Sequence, residues 1–258
     1  MKCQINTKRF KQFVHGASAA LSETIALNIN FKEDVMDVNY IDDGRAFLSH
    51  IMIPAVGFEM YDMADFVNTF FQIDLSDLKQ VLKFQSQTME ISFMQEQNIL
   101  RMKELPRGMT FSCQPILEES TSGVQMPNLN FQYGLNIPCD RLKRAVEALT
   151  TLSPDIEILL INEDSTGIFR LFAKKETQEM TDDIDLSSPI PELPDVGIGS
   201  TYSSAYLSKI TKTGVLLSNT VKLSISDSYP LKFYYKEEEN NVIKMEIVQM
   251  LAPRIMEQ

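Results

Sequence analysis

Only three cysteines occur in 258 residues, Cys3, Cys113 and Cys139, with no CxxC spacing. An odd, scattered set excludes a disulfide framework and a cysteine zinc site, and it fits a reducing, intracellular compartment. The two histidines, His15 and His50, have no metal-ligating partner one helical turn away. No HExxH, nucleophile elbow or glycine-rich phosphate loop accompanies them. No apolar run nears the roughly 20 residues that a membrane span needs, and the longest, Ile156 to Ile161, contains Glu157. The basic start, with Lys2, Lys8, Arg9 and Lys11, is broken by His15 and Ser18 and reads as mature fold rather than a signal peptide.

The residues left for chemistry are acidic. Asp42-Asp43 and the group Asp182, Asp183 and Asp185 could gather a divalent cation. Asp43-Gly44 reads more simply as a hairpin turn, and the later acids, beside Pro189, Pro191 and Pro194, as a solvated loop. The expectation is a protein that is not an enzyme and needs no cofactor or metal, with a carboxylate-metal enzyme as the alternative of a different class.

Four segments have helical spacing. Phe10, Val14, Ala17 and Leu21 form an apolar stripe opposite Lys8, Lys11, His15 and Ser18. Leu75, Leu78, Val81 and Leu82 oppose Lys79 and Lys83; Leu142, Val146 and Leu149 oppose Arg141, Lys143 and Arg144; Leu207 and Ile210 oppose Lys209 and Lys212. Alternating stretches such as ALNINF, MEISFM, GIFRLFA, VKLSIS and VIKMEIV lie between them, with turn residues at Asp43-Gly44, Ser165-Thr166-Gly167 and Asn240-Asn241. Few helices and many short strands make the chain α+β. The order of elements repeats, so the expected organisation is a domain over 1–115, a linker over 116–133 and a similar domain over 134–258. A shorter period, helix to helix, suggests four copies of one βαβββ-type unit.

The formal charge is −11, which on average weighs against a nucleic-acid or anionic-membrane partner. The distribution says otherwise. The four helical windows, 7–21, 74–85, 138–152 and 203–217, total +6 and the remaining residues −17. One basic helix face is an ordinary solvated face; four with the same bias describe a surface that could hold phosphates without reading bases.

The tail MLAPRI, the preceding SDSYPLKFYYK, the helix entry YSSAYLSKITK, the early YIDDGRAFLSHIMIP and the mid-chain VQMPNLNF resemble the proliferating cell nuclear antigen (PCNA) family of sliding clamps. The resemblance spans the whole chain. It implies a ring of three chains with helices lining the hole and sheets outside, closed around double-stranded DNA independently of sequence. A ring of diverged subunits, or a checkpoint-type clamp subunit, is the alternative. The DNA-facing residues it implies are Lys8, Arg9, Lys11, Lys79, Lys83, Arg141, Arg144, Lys209 and Lys212. It implies a docking pocket for short aromatic-bearing peptides of DNA polymerase, clamp loader, nuclease and ligase, built from Ile41, Ala46, Val124, Met126, Pro127, Pro230, Met250, Leu251, Ala252 and Pro253. It also implies subunit contacts through edge strands at Thr110, Phe111, Ser112, Cys113 and Gln114 and at Lys174, Lys175, Glu176, Thr177 and Gln178. The implied location is with the DNA, in an archaeal cytoplasm or a nucleus.

Overall fold

Each of the four helical segments begins at the residue after a strand ends, with no loop between. The computed structural model describes residues 1–18, 26–42, 44–63, 69–119, 126–186 and 188–254. Strand, helix and three strands recur four times. The first copy is β1 (Lys2–Asn6), α1 (Thr7–Ser18), β2 (Ala26–Phe31), β3 (Val35–Ile41) and β4 (Phe47–Pro54), followed by a short β5 (Met60–Asp62). The second is β6 (Thr69–Asp74), α2 (Leu75–Leu78), β7 (Thr88–Met94), β8 (Ile99–Leu105) and β9 (Thr110–Cys113), followed by β10 (Ile116–Glu119). The third is β11 (Tyr133–Pro138), α3 (Cys139–Thr150), β12 (Asp155–Glu163), β13 (Thr166–Lys175) and β14 (Gln178–Asp185). The fourth is β15 (Ile198–Ser203), α4 (Ser204–Leu217), β16 (Thr220–Ile225), β17 (Leu231–Glu239) and β18 (Val242–Leu251).

The second helix is shorter than its sequence window. Asp74 caps α2, accepting from the Ser76 N–H at 2.7 Å, but after one turn the chain continues as a 3₁₀ helix over Lys79–Lys83. The buried residues explain this: Leu75, Leu78, Val81 and Phe84 recur every third residue, the period of a 3₁₀ helix rather than 3.6. Leu82, expected on the packed side, stays partly exposed. Leu21 lies outside the described residues.

The chain divides into two compact units whose boundaries interleave. The first comprises Met1–Ile41, Ser49–Pro127 and Tyr235–Val248, the second Asp42–Leu48, Asn128–Tyr234 and Gln249–Gln258. A simple cut into 1–115 and 134–258 therefore misses two exchanges, and the expected linker begins as a strand, because β10 pairs antiparallel with β6.

In the first unit one sheet runs β5-β1-β7-β8-β9, and another runs β10-β6-β2-β3-β4-β18-β17, its last three strands contributing residues 49–54, 242–248 and 235–239. Helix α1 buries Phe10, Phe13, Val14 and Ala17. It packs closely: a Cβ at Gly16 would stand 2.9 Å from Ile247 Cδ1 and 3.1 Å from Ile51 Cδ1, so these isoleucine ends would have to shift to admit one. In the second unit one sheet runs β14-β13-β12-β15 and another includes β17-β16-β11. Helices α3 and α4 pack side by side and bury Leu142, Val146, Leu149, Leu207 and Ile210. No helix among the described residues is long and apolar enough to cross a membrane.

Candidate functional site

On the first unit the basic residues are not equivalent. Lys8 and Lys83 are exposed; Lys83 Nζ donates to Gln80 Oε1 at 2.7 Å. Lys11 is half-buried and its ammonium donates to the Phe84 carbonyl, tying α1 to the end of the 3₁₀ segment. Partial burial, and then the charges of Lys11 and Lys79, hold the His15 imidazole below its ordinary pKa. Lys11, His15 and Lys79 thus share one positive neighbourhood.

Arg9, expected to face DNA, is buried instead. It is 5% exposed, with Nε donating to Glu237 Oε2 at 2.7 Å, Nη2 to Glu239 Oε1 at 3.0 Å and Nη1 to the Gly57 carbonyl at 2.5 Å. One step along a helix turns a side chain by about 100°, so the residue after exposed Lys8 points into packing. Arg9 anchors the acidic β17–β18 hairpin and is not free to meet phosphate.

On the second unit Arg144, Lys209 and Lys212 are exposed on the neighbouring helices α3 and α4. Arg144 Nε donates within its own helix, to the Asp140 carbonyl 3.3 Å away, and Lys209 Nζ lies 5.8 Å from the centroid of Tyr206. Arg141 is partly committed: it donates to the Asp182 carboxylate, which raises its pKa, and to the Asp183 carbonyl at 2.9 Å.

Of the acids raised as metal ligands, Asp42, Asp182 and Asp183 are engaged within the fold. Asp42 accepts from the Phe47 N–H at 2.6 Å and the Tyr206 hydroxyl at 2.5 Å. Asp183 takes two bonds from Arg170, both 2.8 Å, which hold its pKa below the usual carboxylate value. No cluster of three His, Cys, Asp or Glu that could hold a metal forms among the described residues. Asp43 lies outside them.

The apolar tail residues split by exposure. Leu251 is fully buried and Met250 is 6% exposed, so both are core residues and not open pocket lining. Along a strand successive side chains alternate faces, and here the strand end is covered on both. Ala46, Pro230, Ala252 and Pro253 are half-exposed in the same unit, and the Ala252 N–H donates to the Ala46 carbonyl at 2.8 Å. Ile41, Met126 and Pro127 belong to the first unit; Val124 lies outside the described residues. Missed from the sequence were Tyr229 and Phe131, half-exposed rings packed edge to face at 5.6 Å beside Pro230, with Lys232 5.9 Å from the Phe131 centroid. Their signal was an aromatic directly before Pro230 and another in the linker.

No family model matches the chain. The DNA polymerase sliding clamp of Thermoplasma volcanium is 23% identical over 260 residues, covering 99% of both chains. A structure described as the C-terminal region of FEN-1 bound to A. fulgidus PCNA superposes with a TM-score of 0.79 at 16% identity, covering 100% of this chain and 99% of the other. The PCNA2–PCNA3 complex from Sulfolobus tokodaii gives 0.75 at 20% identity, covering 98% and 99%. The fold is that of a PCNA sliding clamp.

Within this PCNA fold the free sheet edges are only partly where they were expected. β9 pairs with β8 alone and ends its sheet, so Thr110 to Cys113 form an open edge among the described residues. The second expected edge, 174–178, is instead a hairpin: Lys174 and Lys175 close β13, Glu176 adopts a left-handed φ of 52° in the turn, and Gln178 opens β14. Among the described residues the strand that ends the sheet on this side is β14, Gln178–Asp185, because β13 is paired on both sides.

Proposed function

We propose that this chain is a DNA sliding clamp, a noncatalytic processivity factor that encircles duplex DNA and tethers DNA polymerase and other replication and repair proteins. The observation that carries the reading is the whole-chain PCNA fold, in which exposed cations cluster on helices of an otherwise acidic molecule. Lys8, Lys83, Arg144, Lys209 and Lys212 are the residues free to meet phosphates, with Lys11, Lys79 and Arg141 supporting them. Side chains of this kind on helix faces release counterions without reading base edges, which suits a protein that must slide.

The open edges of β9 and β14 support a ring of three copies closed head to tail, since unpaired strand edges are otherwise an aggregation hazard. Partner peptides dock against Ala46, Pro230, Ala252 and Pro253, where an inserted aromatic would meet apolar surface and the strand-like tail offers backbone groups. Mass measured across a concentration series tests the assembly. A particle of three times the 29.4 kDa chain supports the homotrimer; a trimer formed only with other clamp subunits supports the mixed ring; a monomer that no partner subunit assembles refutes both.

A further inference from the structure

The internal repeat makes β1 and β11 equivalent strands. Each runs straight into a helix, and in each case the first helical N–H closes the pairing with the strand alongside: Thr7 to the Gln87 carbonyl at 2.9 Å and Cys139 to the Asn219 carbonyl at 2.8 Å. Thr7 thus matches Cys139, and Lys2 and Gln4 match Gly134 and Asn136. In an antiparallel ladder alternate residues turn their N–H and C=O away from the partner. Those residues are Lys2 and Gln4 in β1, and Gly134 and Asn136 in β11.

In the first unit that outer edge is capped. β5 pairs Asp62 with Lys2 and Met60 with Gln4, and the Glu59 N–H donates to the Gln4 carbonyl at 2.8 Å. In the second unit no strand among the described residues pairs with the outer edge of β11. The segment in the equivalent place, after β14, carries Pro189, Pro191 and Pro194, which have no N–H to give a ladder. Several of its other backbone groups are engaged away from β11. Asn162 accepts from the Ile190 N–H at 2.8 Å and donates to the Ile190 carbonyl at 2.9 Å, the Gly167 N–H donates to the Ser188 carbonyl at 2.9 Å, and the Tyr133 hydroxyl donates to the Glu192 carbonyl at 2.9 Å. The segment is held off β11, leaving a cleft of about 530 Å³ between Gly134, Leu135 and Asn136 on one side and Asp185, Pro189 and Ile190 on the other. Asp185 is the one charged side chain in its described lining.

We propose that this cleft takes a short extended, lysine- or arginine-bearing peptide segment of a partner protein as an added strand on β11. Gly134 and Asn136 supply the backbone hydrogen bonds and Asp185 takes the cation. β5 shows that this strand type accepts such a cap, and strand addition at an open edge gives affinity through the main chain and selectivity through alternate side chains. A cationic segment suits both Asp185 and the charge of −11. The site is separate from the tail surface and does not depend on the clamp reading.

The test is amide hydrogen exchange on the full chain with a blocked heptapeptide of alternating lysine and valine, and the same peptide with glutamate for lysine. The lysine peptide should slow exchange at Gly134 and Asn136 saturably, leave Lys2 and Gln4 unchanged, and outbind the glutamate peptide. Gly134→Pro removes an outward N–H without touching the β16 ladder and should weaken binding about tenfold with an unchanged thermal midpoint. Asp185→Asn should abolish the preference for lysine over glutamate. Absence of slowing at high peptide, equal slowing with Gly134→Pro, or equal binding of the glutamate peptide overturns the proposal. So does protection of Gly134 in the peptide-free protein that grows with protein concentration, since that makes a second copy the occupant.

Discussion

The Tyr206 hydroxyl donates to Asp42 Oδ2 at 2.5 Å, joining helix α4 to the turn that carries Ala46. Asp42 is 7% exposed, its other oxygen accepts from the Phe47 N–H, and the Phe47 and Tyr206 rings stack with centroids 5.9 Å apart. The Ala46 carbonyl in turn holds the tail at Ala252. Tyr206→Phe deletes one hydroxyl and leaves a buried carboxylate oxygen without a donor, so urea denaturation should show a loss of about 1–3 kcal/mol. Amide exchange at Ala252 should quicken as well. An unchanged midpoint would mean that Asp42 is not braced by this bond.

Arg9 and Lys8 are adjacent and should behave oppositely. Arg9→Ala strands Glu237 and should cost about 3 kcal/mol, at the low end for a buried pair because its two acids are partly solvated. Lys8→Ala should leave stability unchanged and lower DNA affinity, reducing the salt slope by about 0.9 for one lost phosphate contact. Paired denaturation and salt-titrated DNA binding check both.

His15 gives a pH signature. Its pKa in the folded chain lies below the ordinary 6.5, so the unfolded chain binds the proton more readily and folding stability contributed by the neutral ring is complete above that value. Stability should fall as pH drops below the unfolded pKa, and His15→Gln should flatten that part of the profile. Phosphates near Lys11 and Lys79 would favour the protonated ring, so the imidazole pKa, followed by NMR, should rise when duplex DNA is bound. A pKa unmoved by DNA would take DNA away from this face.

The tail separates packing from docking. Leu251→Ala removes a fully buried side chain and should destabilise by about 2–5 kcal/mol. Ala252→Glu places a carboxylate on the half-exposed wall and should weaken aromatic-bearing client peptides about tenfold, since burying an unpaired charge is costly, with little change in the denaturation midpoint. Calorimetric titration with such a peptide distinguishes the two.

The repeat, the strands and three of the four helices were legible because helix faces and alternating strands are local patterns. The second helix was not, since Leu75, Leu78 and Val81 fit a short helical stripe almost as well as the three-residue spacing that the chain follows. Arg9 was misplaced because its acid partner Glu237 lies 228 residues away, beyond any local period. The open edge was assigned to 174–178 and not to β14 because both flanking stretches look like strands, and only pairing tells which one ends the sheet. Met250 and Leu251 looked like exposed apolar tail because neighbours such as the Ala46 turn come from distant sequence.

A topological hold on DNA is tested most directly by retention on closed circular duplex after loading by the cognate clamp loader, in salt high enough to screen the helix cations. The protein should stay on intact circles and leave when a single cut linearises them. Equal release from circular and linear DNA would contradict the account.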